Sequence, residues 1–162
     1  KTYQSQDVIM DRLPLCTNGI ETDALNRTKA SVLHVTPYRS YPSNNSTTHE
    51  KRKEYIQWVN KKDRWIVEDD YESEFTPAIV FSETLYEMDS EHVIYMNTFS
   101  RTVSPSIRIS YMVLPDKLNE LYDRTQSFRS CTVSLYMQMV MAELLNNGAF
   151  ERHLNRIRQQ KK

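Results

Sequence analysis

Glycine is almost missing from this chain of 162 residues, where Gly19 and Gly148 are the only two, about 1% against a usual 7%. No GxGxxG or GxxxxGK[ST] sequence is therefore present, which excludes the simple dinucleotide-binding and P-loop classes. Cysteine is also scarce: Cys16 and Cys131 form neither a CxxC metal motif nor a disulfide framework, which favours a reducing, cytoplasmic location. No apolar run reaches the ~18 residues of a membrane span, and no export signal is visible.

An excess of positive charge is missing as well. Lys and Arg total 21 and Asp and Glu total 21, so no chain-wide basic footprint for nucleic acid is present. The basic end from Arg152 to Lys162 is interpreted as a helix C-terminus rather than a DNA contact. The four histidines show no HxxH or HExxH spacing, so no metal site is predicted. The length of the chain predicts one domain. Because residue 1 is lysine rather than methionine, we expect the chain to be a piece of a longer protein.

Short apolar strands alternate with long helical patterns, which predicts an α/β fold with a mainly parallel sheet and flanking helices. The segment 72–90 is expected to be a loop. The run of basic residues at 51–53 is interpreted as a solvated helix face. The Met-rich stretch from Tyr136 to Met141 is interpreted as part of the core. The predicted strands are 31–36, 64–68, 92–96 and 107–114, and the predicted helices are about 49–60, 115–127, 133–146 and 150–160.

Acidic residues follow the second strand, at the edge where open α/β sheets bind ligands. Asp69 and Asp70 come directly after its apolar part, and Tyr71 follows them. The carboxylates suit a cation, an arginine or a protonated ring nitrogen, and a solvated turn is the alternative without a ligand. Tyr71 adds a phenol that can donate a hydrogen bond to a ligand oxygen.

Hydroxyl and guanidinium groups gather after the third strand. Thr98, Ser100, Arg101 and Arg108 lie within eleven positions. Hydroxyl donors and forked cations together suit a phosphate group. A surface strand end of the same composition is the alternative, so this cluster alone leaves the question open.

Three stretches in this order carry a family resemblance: VTP at 35–37, WIVEDDYESEF at 65–75 and VIYMNTFSRTVSPSIRISYMVLP at 93–115. Together they resemble the aminotransferase-like domain of MocR-type regulators in the GntR family. Those proteins join a winged helix-turn-helix DNA-binding domain to a domain related to fold type I pyridoxal-phosphate enzymes. The resemblance covers about 8–158. It implies the central part of the aminotransferase large domain over 1–162, with the winged domain and the C-terminal small domain absent from this chain.

The resemblance also implies a role for each residue and pyridoxal 5'-phosphate as the cofactor. Asp69 falls where the family pairs an aspartate with the pyridinium nitrogen, and Tyr71 where a tyrosine contacts the phenolic oxygen of the ring. Thr98 and Ser100 match hydroxyl positions near the phosphate. Arg108 matches a basic residue on the phosphate side.

Arg101 departs from the family, which has at this position the lysine that forms the Schiff base with pyridoxal phosphate. A guanidinium stays protonated and cannot act as that amine nucleophile. We therefore expect no covalent Schiff base and no transamination, whereas Arg101 can still pair with the phosphate or with Asp69. Asn44 and Asn97 stand where the family commonly has glycine, and asparagine tolerates the left-handed backbone conformation.

The leading hypothesis is the effector-sensing domain of a MocR-type transcriptional regulator. It binds pyridoxal phosphate or a related amine or amino-acid ligand, and it passes the bound state to DNA through a homodimer and a domain outside this chain. One alternative is a fragment of a fold type I pyridoxal-phosphate aminotransferase. Another is a ligand-free dimerisation scaffold. No membrane partner is expected.

Overall fold

The fold is built on a four-stranded mixed sheet with helices packed beside it. The computed structural model describes residues 3, 6–38, 40, 43–71, 73 and 83–160. Along the chain the elements are β1 (Leu15–Cys16), β2 (Gly19–Ile20), α1 (Thr22–Arg27), β3 (Val32–Val35), α2 (His49–Asn60), β4 (Trp65–Asp70), α3 (Leu85–Met88), β5 (Val93–Thr98), α4 (Phe99–Thr102), β6 (Ser110–Val113), α5 (Asp116–Gln126), α6 (Leu135–Asn146) and α7 (Ala149–Gln160).

Parallel pairing of β3, β4 and β5 brings their carboxyl ends to one edge of the sheet. Val35 of β3 lies opposite Glu68 of β4, and Asp70 of β4 lies opposite Asn97 of β5. The last strand, β6, runs antiparallel to β5. The prediction of an α/β fold with a mainly parallel sheet is confirmed. The acidic residues at the end of β4 and the hydroxyl residues at and just after the end of β5 lie at this carboxyl edge.

The predicted elements are present with shifted ends. The third strand, β5, continues two residues further than predicted, and β6 begins three residues later than predicted. The expectation of a loop over 72–90 is wrong near its end, because Thr84 and Glu87 form a capping box that begins the short helix α3. Residues 72 and 74–82 of that segment lie outside the described residues.

Aromatic and apolar side chains of α2 cover one face of the sheet. Tyr55, Trp58 and Val59 are spaced three and four residues apart on one helix face, and each is at most 2% exposed. They pack in one core with Ile66 of β4 and Val93 of β5. Burying each such side chain contributes about 1.5–3 kcal/mol. This packing fixes α2 against the strands that carry the carboxyl edge.

Two cations of α2 are buried, so the prediction of a solvated face at 51–53 is wrong for Lys51 and Arg52, whereas Lys53 is exposed. The Lys51 ammonium lies 2.6 Å from a Glu54 carboxylate oxygen. The Arg52 guanidinium donates to the Glu83 carbonyl at 2.7 Å. The long apolar stems of both side chains can be buried while their charged ends reach these partners, and Arg52 thereby ties α2 to the segment before α3.

The Met-rich part of α6 is mostly exposed, so the prediction that it belongs to the core is wrong for most of its residues. Tyr136 is 74% exposed and Met139 is 64% exposed, whereas Met141 is 4% exposed. Helix α6 packs against α7. The apolar composition predicts the helix correctly, but it does not predict which surface of the helix is covered.

Gly19 is required by its backbone conformation and by its neighbours. Its φ is +134°, and a Cβ at this position would lie 2.6 Å from Lys51 Cγ and 2.6 Å from the Tyr55 hydroxyl. We expect Gly19→Ala to lower the free energy of unfolding by about 2–4 kcal/mol in urea denaturation. Gly148→Ala is the matched control and should lose about 1 kcal/mol, because the nearest atom to its Cβ is the flexible Arg152 guanidinium at 3.3 Å. Equal losses in the two variants would contradict this explanation.

Candidate functional site

Alternation along β4 places the two aspartates on opposite faces of the sheet. Glu68 and Asp70 are fully buried, whereas the Asp69 side chain is 37% exposed. Successive side chains of a strand point to opposite faces, so Asp69 shares a face with neither of the buried acids. The acidic run that follows the apolar part of β4 therefore contains one accessible carboxylate and two structural ones.

The Asp70 carboxylate fixes the turn that follows β4. It accepts hydrogen bonds from the Tyr95 hydroxyl at 2.7 Å and from the Ser73 backbone N–H at 2.9 Å, and it also accepts the Ser73 hydroxyl. Burial and the neighbouring Asp70 raise the pKa of Tyr95, so this phenol remains a donor. Asp70 thus holds the backbone beyond the strand in place rather than facing a ligand.

Asp69 is contacted by His34, a residue that the sequence motifs did not indicate as part of the site. His34 Nε2 lies 3.4 Å from an Asp69 oxygen, and His34 Nδ1 lies 2.7 Å from the Tyr3 hydroxyl. A neutral His34 that accepts the Tyr3 proton at Nδ1 carries its own proton on Nε2 and donates it to Asp69. Burial and Asp69 raise the pKa of Tyr3, which keeps the phenol protonated. This chain of three side chains orients the accessible carboxylate.

Tyr71 and Arg101, two of the predicted site residues, lie close together. The Arg101 guanidinium carbon is 5.5 Å from the centre of the Tyr71 ring, within the range of a cation–π interaction. Tyr71 follows β4, and Arg101 lies in α4 directly after β5. The structure therefore joins the phenol of the first cluster to a cation of the second cluster.

The hydroxyls of Thr98 and Ser100 are occupied by backbone partners. Thr98 donates to the Ile109 carbonyl at 3.1 Å, and Ser100 donates to the Ile107 carbonyl at 2.7 Å. The Thr98 oxygen also accepts the Ser100 backbone N–H at 3.2 Å, which caps α4. A hydroxyl has one proton to donate, so a phosphate would have to replace these bonds. The phosphate role of both residues stays a prediction.

Arg108 is an exposed cation on the segment that these hydroxyls hold. Within the described ranges, its guanidinium makes no ion pair and no side-chain hydrogen bond. Its five N–H donors are thus accessible to an anion. Arg101 and Arg108 give the connection between β5 and β6 two positive charges.

The two asparagines at family glycine positions differ in backbone conformation. Asn44 has a φ of +58°, which confirms the expected left-handed conformation. Asn97 does not have a positive φ, because it pairs within β5, where its side-chain amide donates to the Tyr95 hydroxyl at 2.9 Å. Glycine is therefore not needed at Asn97 in this chain. Residues 41 and 42 of the YPSN stretch lie outside the described residues.

Two other classes of site are absent from the described part of the chain. It contains no group of three or more His, Cys, Asp or Glu side chains arranged to hold a metal ion. None of the helices in the same ranges is long and apolar enough to cross a bilayer. The carboxyl edge carries an accessible carboxylate, a phenol and two guanidinium groups, and these groups make it the candidate functional site.

The fold is shared with solved aminotransferases. One of them is LysN, the α-aminoadipate aminotransferase of Thermus thermophilus, crystallised as a complex with N-(5'-phosphopyridoxyl)-L-leucine. It matches this chain with a TM-score of 0.76 and 30% sequence identity, over 91% of this chain and 40% of the LysN chain. The fold therefore defines an aminotransferase-like domain of fold type I.

The sequence relatives are transcriptional regulators, although no family model matches the chain. The uncharacterized HTH-type regulator YhdI of Bacillus subtilis is 32% identical over 152 residues, which cover 92% of this chain and 32% of YhdI. The probable rhizopine catabolism regulatory protein MocR of Rhizobium meliloti is 33% identical over 147 residues, which cover 90% of this chain and 30% of MocR. The chain spans about a third of the length of these curated relatives. Together with the fold, these relatives support an aminotransferase-like domain of a MocR-type regulator, as the sequence motifs predict.

Proposed function

We propose that this chain is the ligand-sensing domain of a MocR-type transcriptional regulator and holds pyridoxal phosphate, or a related ligand, noncovalently at the carboxyl edge of its sheet. The observation that carries the proposal is the pair formed by Arg101 and Tyr71. Arg101 stands where the family has its Schiff-base lysine, and a guanidinium cannot replace that amine as a nucleophile. The edge thus retains groups that bind the ligand without the group that would attach it.

The side chains at this edge fit the groups of pyridoxal phosphate. Asp69 offers an accessible carboxylate for the protonated ring nitrogen, and His34 orients it. Tyr71 offers a phenol for the ring oxygen, and Arg101 and Arg108 offer guanidinium groups for the phosphate. When bound, the cofactor supplies a ring that acts as an electron sink.

The residues of this chain bind and orient the ligand rather than react with it. The contact with His34 Nε2 orients one carboxylate oxygen of Asp69 and leaves the other oxygen for a ligand cation. Arg101 keeps a fixed positive charge where a neutral amine would be needed for covalent attachment. The arginine at position 101, in place of the family lysine, supports a sensing role and argues against transamination by this chain.

We further propose that the chain is the central part of the large domain in a longer regulator, since it spans about a third of the curated relatives. In this arrangement a winged helix-turn-helix domain outside 1–162 contacts the DNA. A C-terminal small domain outside 1–162 binds the carboxylate of a substrate-like ligand. The zero net charge of this chain supports that division. A homodimer would carry the ligand state from the aminotransferase-like domains to the DNA.

Replacing Asp69 with asparagine tests the proposed site. We expect Asp69→Asn to weaken the binding of pyridoxal phosphate about 10- to 100-fold in calorimetric titration, because it removes a charge-assisted hydrogen bond to the ring nitrogen. Asp123→Asn, an exposed change of the same kind in α5, should leave the affinity unchanged. Equal affinity in the Asp69→Asn variant and the unaltered chain would contradict the proposed site. No binding by the unaltered chain would favour a ligand-free dimerisation scaffold.

A further inference from the structure

A separate cavity lies at the opposite edge of the sheet, where β3 and β4 begin. Its volume is about 420 Å³. Its lining includes four cationic residues, Arg27, Lys29, Lys62 and Arg64, and no acidic residue. These residues belong to two distant parts of the sequence, which the parallel pairing of β3 with β4 brings together.

The four cations lack anionic partners. Over the ranges that the structure describes, none of their side chains makes an ion pair or a side-chain hydrogen bond. Arg64 is only 8% exposed, and its guanidinium carbon lies 4.2 Å from the centre of the Trp58 ring. Arginine is rarely buried to this extent without a paired anion. The Trp58 ring orients the guanidinium without supplying an anionic partner.

The nearby acids are engaged elsewhere. Asp11 accepts the Thr28 hydroxyl at 2.7 Å and lines a different cavity. Asp63 is directed to other side chains, since its Oδ1 lies 3.4 Å from His92 Nε2 and 3.8 Å from Lys117 Nζ. Neither carboxylate lines this cavity.

Two helix C-termini at this edge neutralise only part of the charge. Helix α1 ends at Arg27, and α2 ends at Asn60, shortly before Lys62. Each helix C-terminus carries about −0.5 of an elementary charge, so the two together offset about one of the four positive charges. The lining of the cavity therefore stays positively charged, which favours an anion.

We propose that this cavity binds the phosphate group of a small molecule, at a site distinct from the carboxyl edge. Arg64, stacked on Trp58, presents the planar fork that binds phosphate oxygens in pairs. Lys29 and Lys62 are exposed at the rim and supply mobile point charges. The volume lies within the range of ~300–1,000 Å³ typical of small-molecule sites, which favours a small phosphate-bearing ligand over a nucleic-acid backbone.

Amide NMR of the full chain with inorganic phosphate at constant ionic strength tests this site. We expect saturable shifts at residues 27–31 and 62–64. The double variant Lys29→Gln/Lys62→Gln, in which both changes are exposed, should weaken binding about tenfold at these amides. The control Lys53→Gln/Arg124→Gln removes the same charge from exposed positions elsewhere and should bind like the unaltered chain.

Titrations with phenyl phosphate and with a short DNA duplex distinguish the sources of phosphate. Shifts at 27–31 and 62–64 with phenyl phosphate, lost in the double variant, would support a small-molecule site. Phosphate-induced shifts confined to 98–108 would overturn the proposal, because the anion would then bind only at the carboxyl edge. Shifts at this cavity with the duplex alone would overturn it as well, and so would equal affinity in the double variant and its control.

Discussion

Arg101→Lys should convert the site from noncovalent to covalent binding of pyridoxal phosphate. The lysine amine would stand in α4 beside Tyr71, where the Arg101 guanidinium now lies. Its deprotonated form can attack the aldehyde of the ligand and form a carbon–nitrogen bond with loss of one water. After borohydride reduction, mass spectrometry with peptide mapping should find residue 101 labelled close to one equivalent in this variant and unlabelled in the unaltered chain.

Two further variants separate this chemistry from general lysine labelling. Arg101→Gln removes the guanidinium without supplying an amine, so it should remain unlabelled at this position. Arg108→Lys places an exposed lysine on the neighbouring segment, and residue 108 should be labelled far less than residue 101 of the Arg101→Lys variant. Similar labelling of the two introduced lysines, or none in Arg101→Lys, would contradict the assignment of residue 101 to the family lysine position.

Among replacements of Glu68, Asp69 and Asp70 by neutral residues, Glu68→Ala should cause the largest loss of stability. Glu68 is fully buried, and its carboxylate accepts the backbone N–H groups of Leu85 and Tyr86, each at 3.0 Å. Alanine would leave both donors at the start of α3 without this acceptor. The expected loss is about 3–5 kcal/mol in urea denaturation, since each buried donor left unpaired costs about 1–3 kcal/mol. Glu68→Gln keeps an acceptor oxygen and should lose much less.

The pH dependence of these variants provides an independent check. Burial raises the pKa of Glu68 above its ordinary value of 4.5. The folded state therefore favours protonation of Glu68 more than the unfolded state does, so this shift adds most to stability below the unfolded pKa. That contribution is lost as pH rises through the folded pKa. The unaltered chain should lose stability relative to Glu68→Gln over this interval, and parallel stability curves would contradict a raised pKa.

The sequence pattern predicts the sheet edge and most of the residues on it. Strands stand out because short apolar runs end in acidic or hydroxyl residues, and Arg101 stands out because it breaks a long family motif. The separate roles of Asp69 and Asp70 follow from strand alternation. The acidic composition alone treats the two residues together, whereas the family resemblance already implies the ligand role for Asp69. Burial of Asp70 against Tyr95 then removes it from the accessible set.

The remaining features depend on contacts between distant parts of the chain. His34 joins the site only because β3 pairs with β4, which places it near Asp69, 35 residues away. The burial of Arg52 depends on the Glu83 carbonyl, 31 residues away. The second cavity likewise arises from two separate segments. Periodicity along a single segment contains no information about such partners, so these features require the folded structure.

Noncovalent binding at the carboxyl edge is tested most directly by mixing the unaltered chain with pyridoxal phosphate, recording visible absorption, and then mapping peptides after borohydride reduction. We expect a saturable change in absorption that Asp69→Asn weakens, together with no stoichiometrically labelled lysine after reduction. One lysine labelled to about one equivalent, or no change in absorption on mixing, would contradict a site that binds the ligand without attaching it.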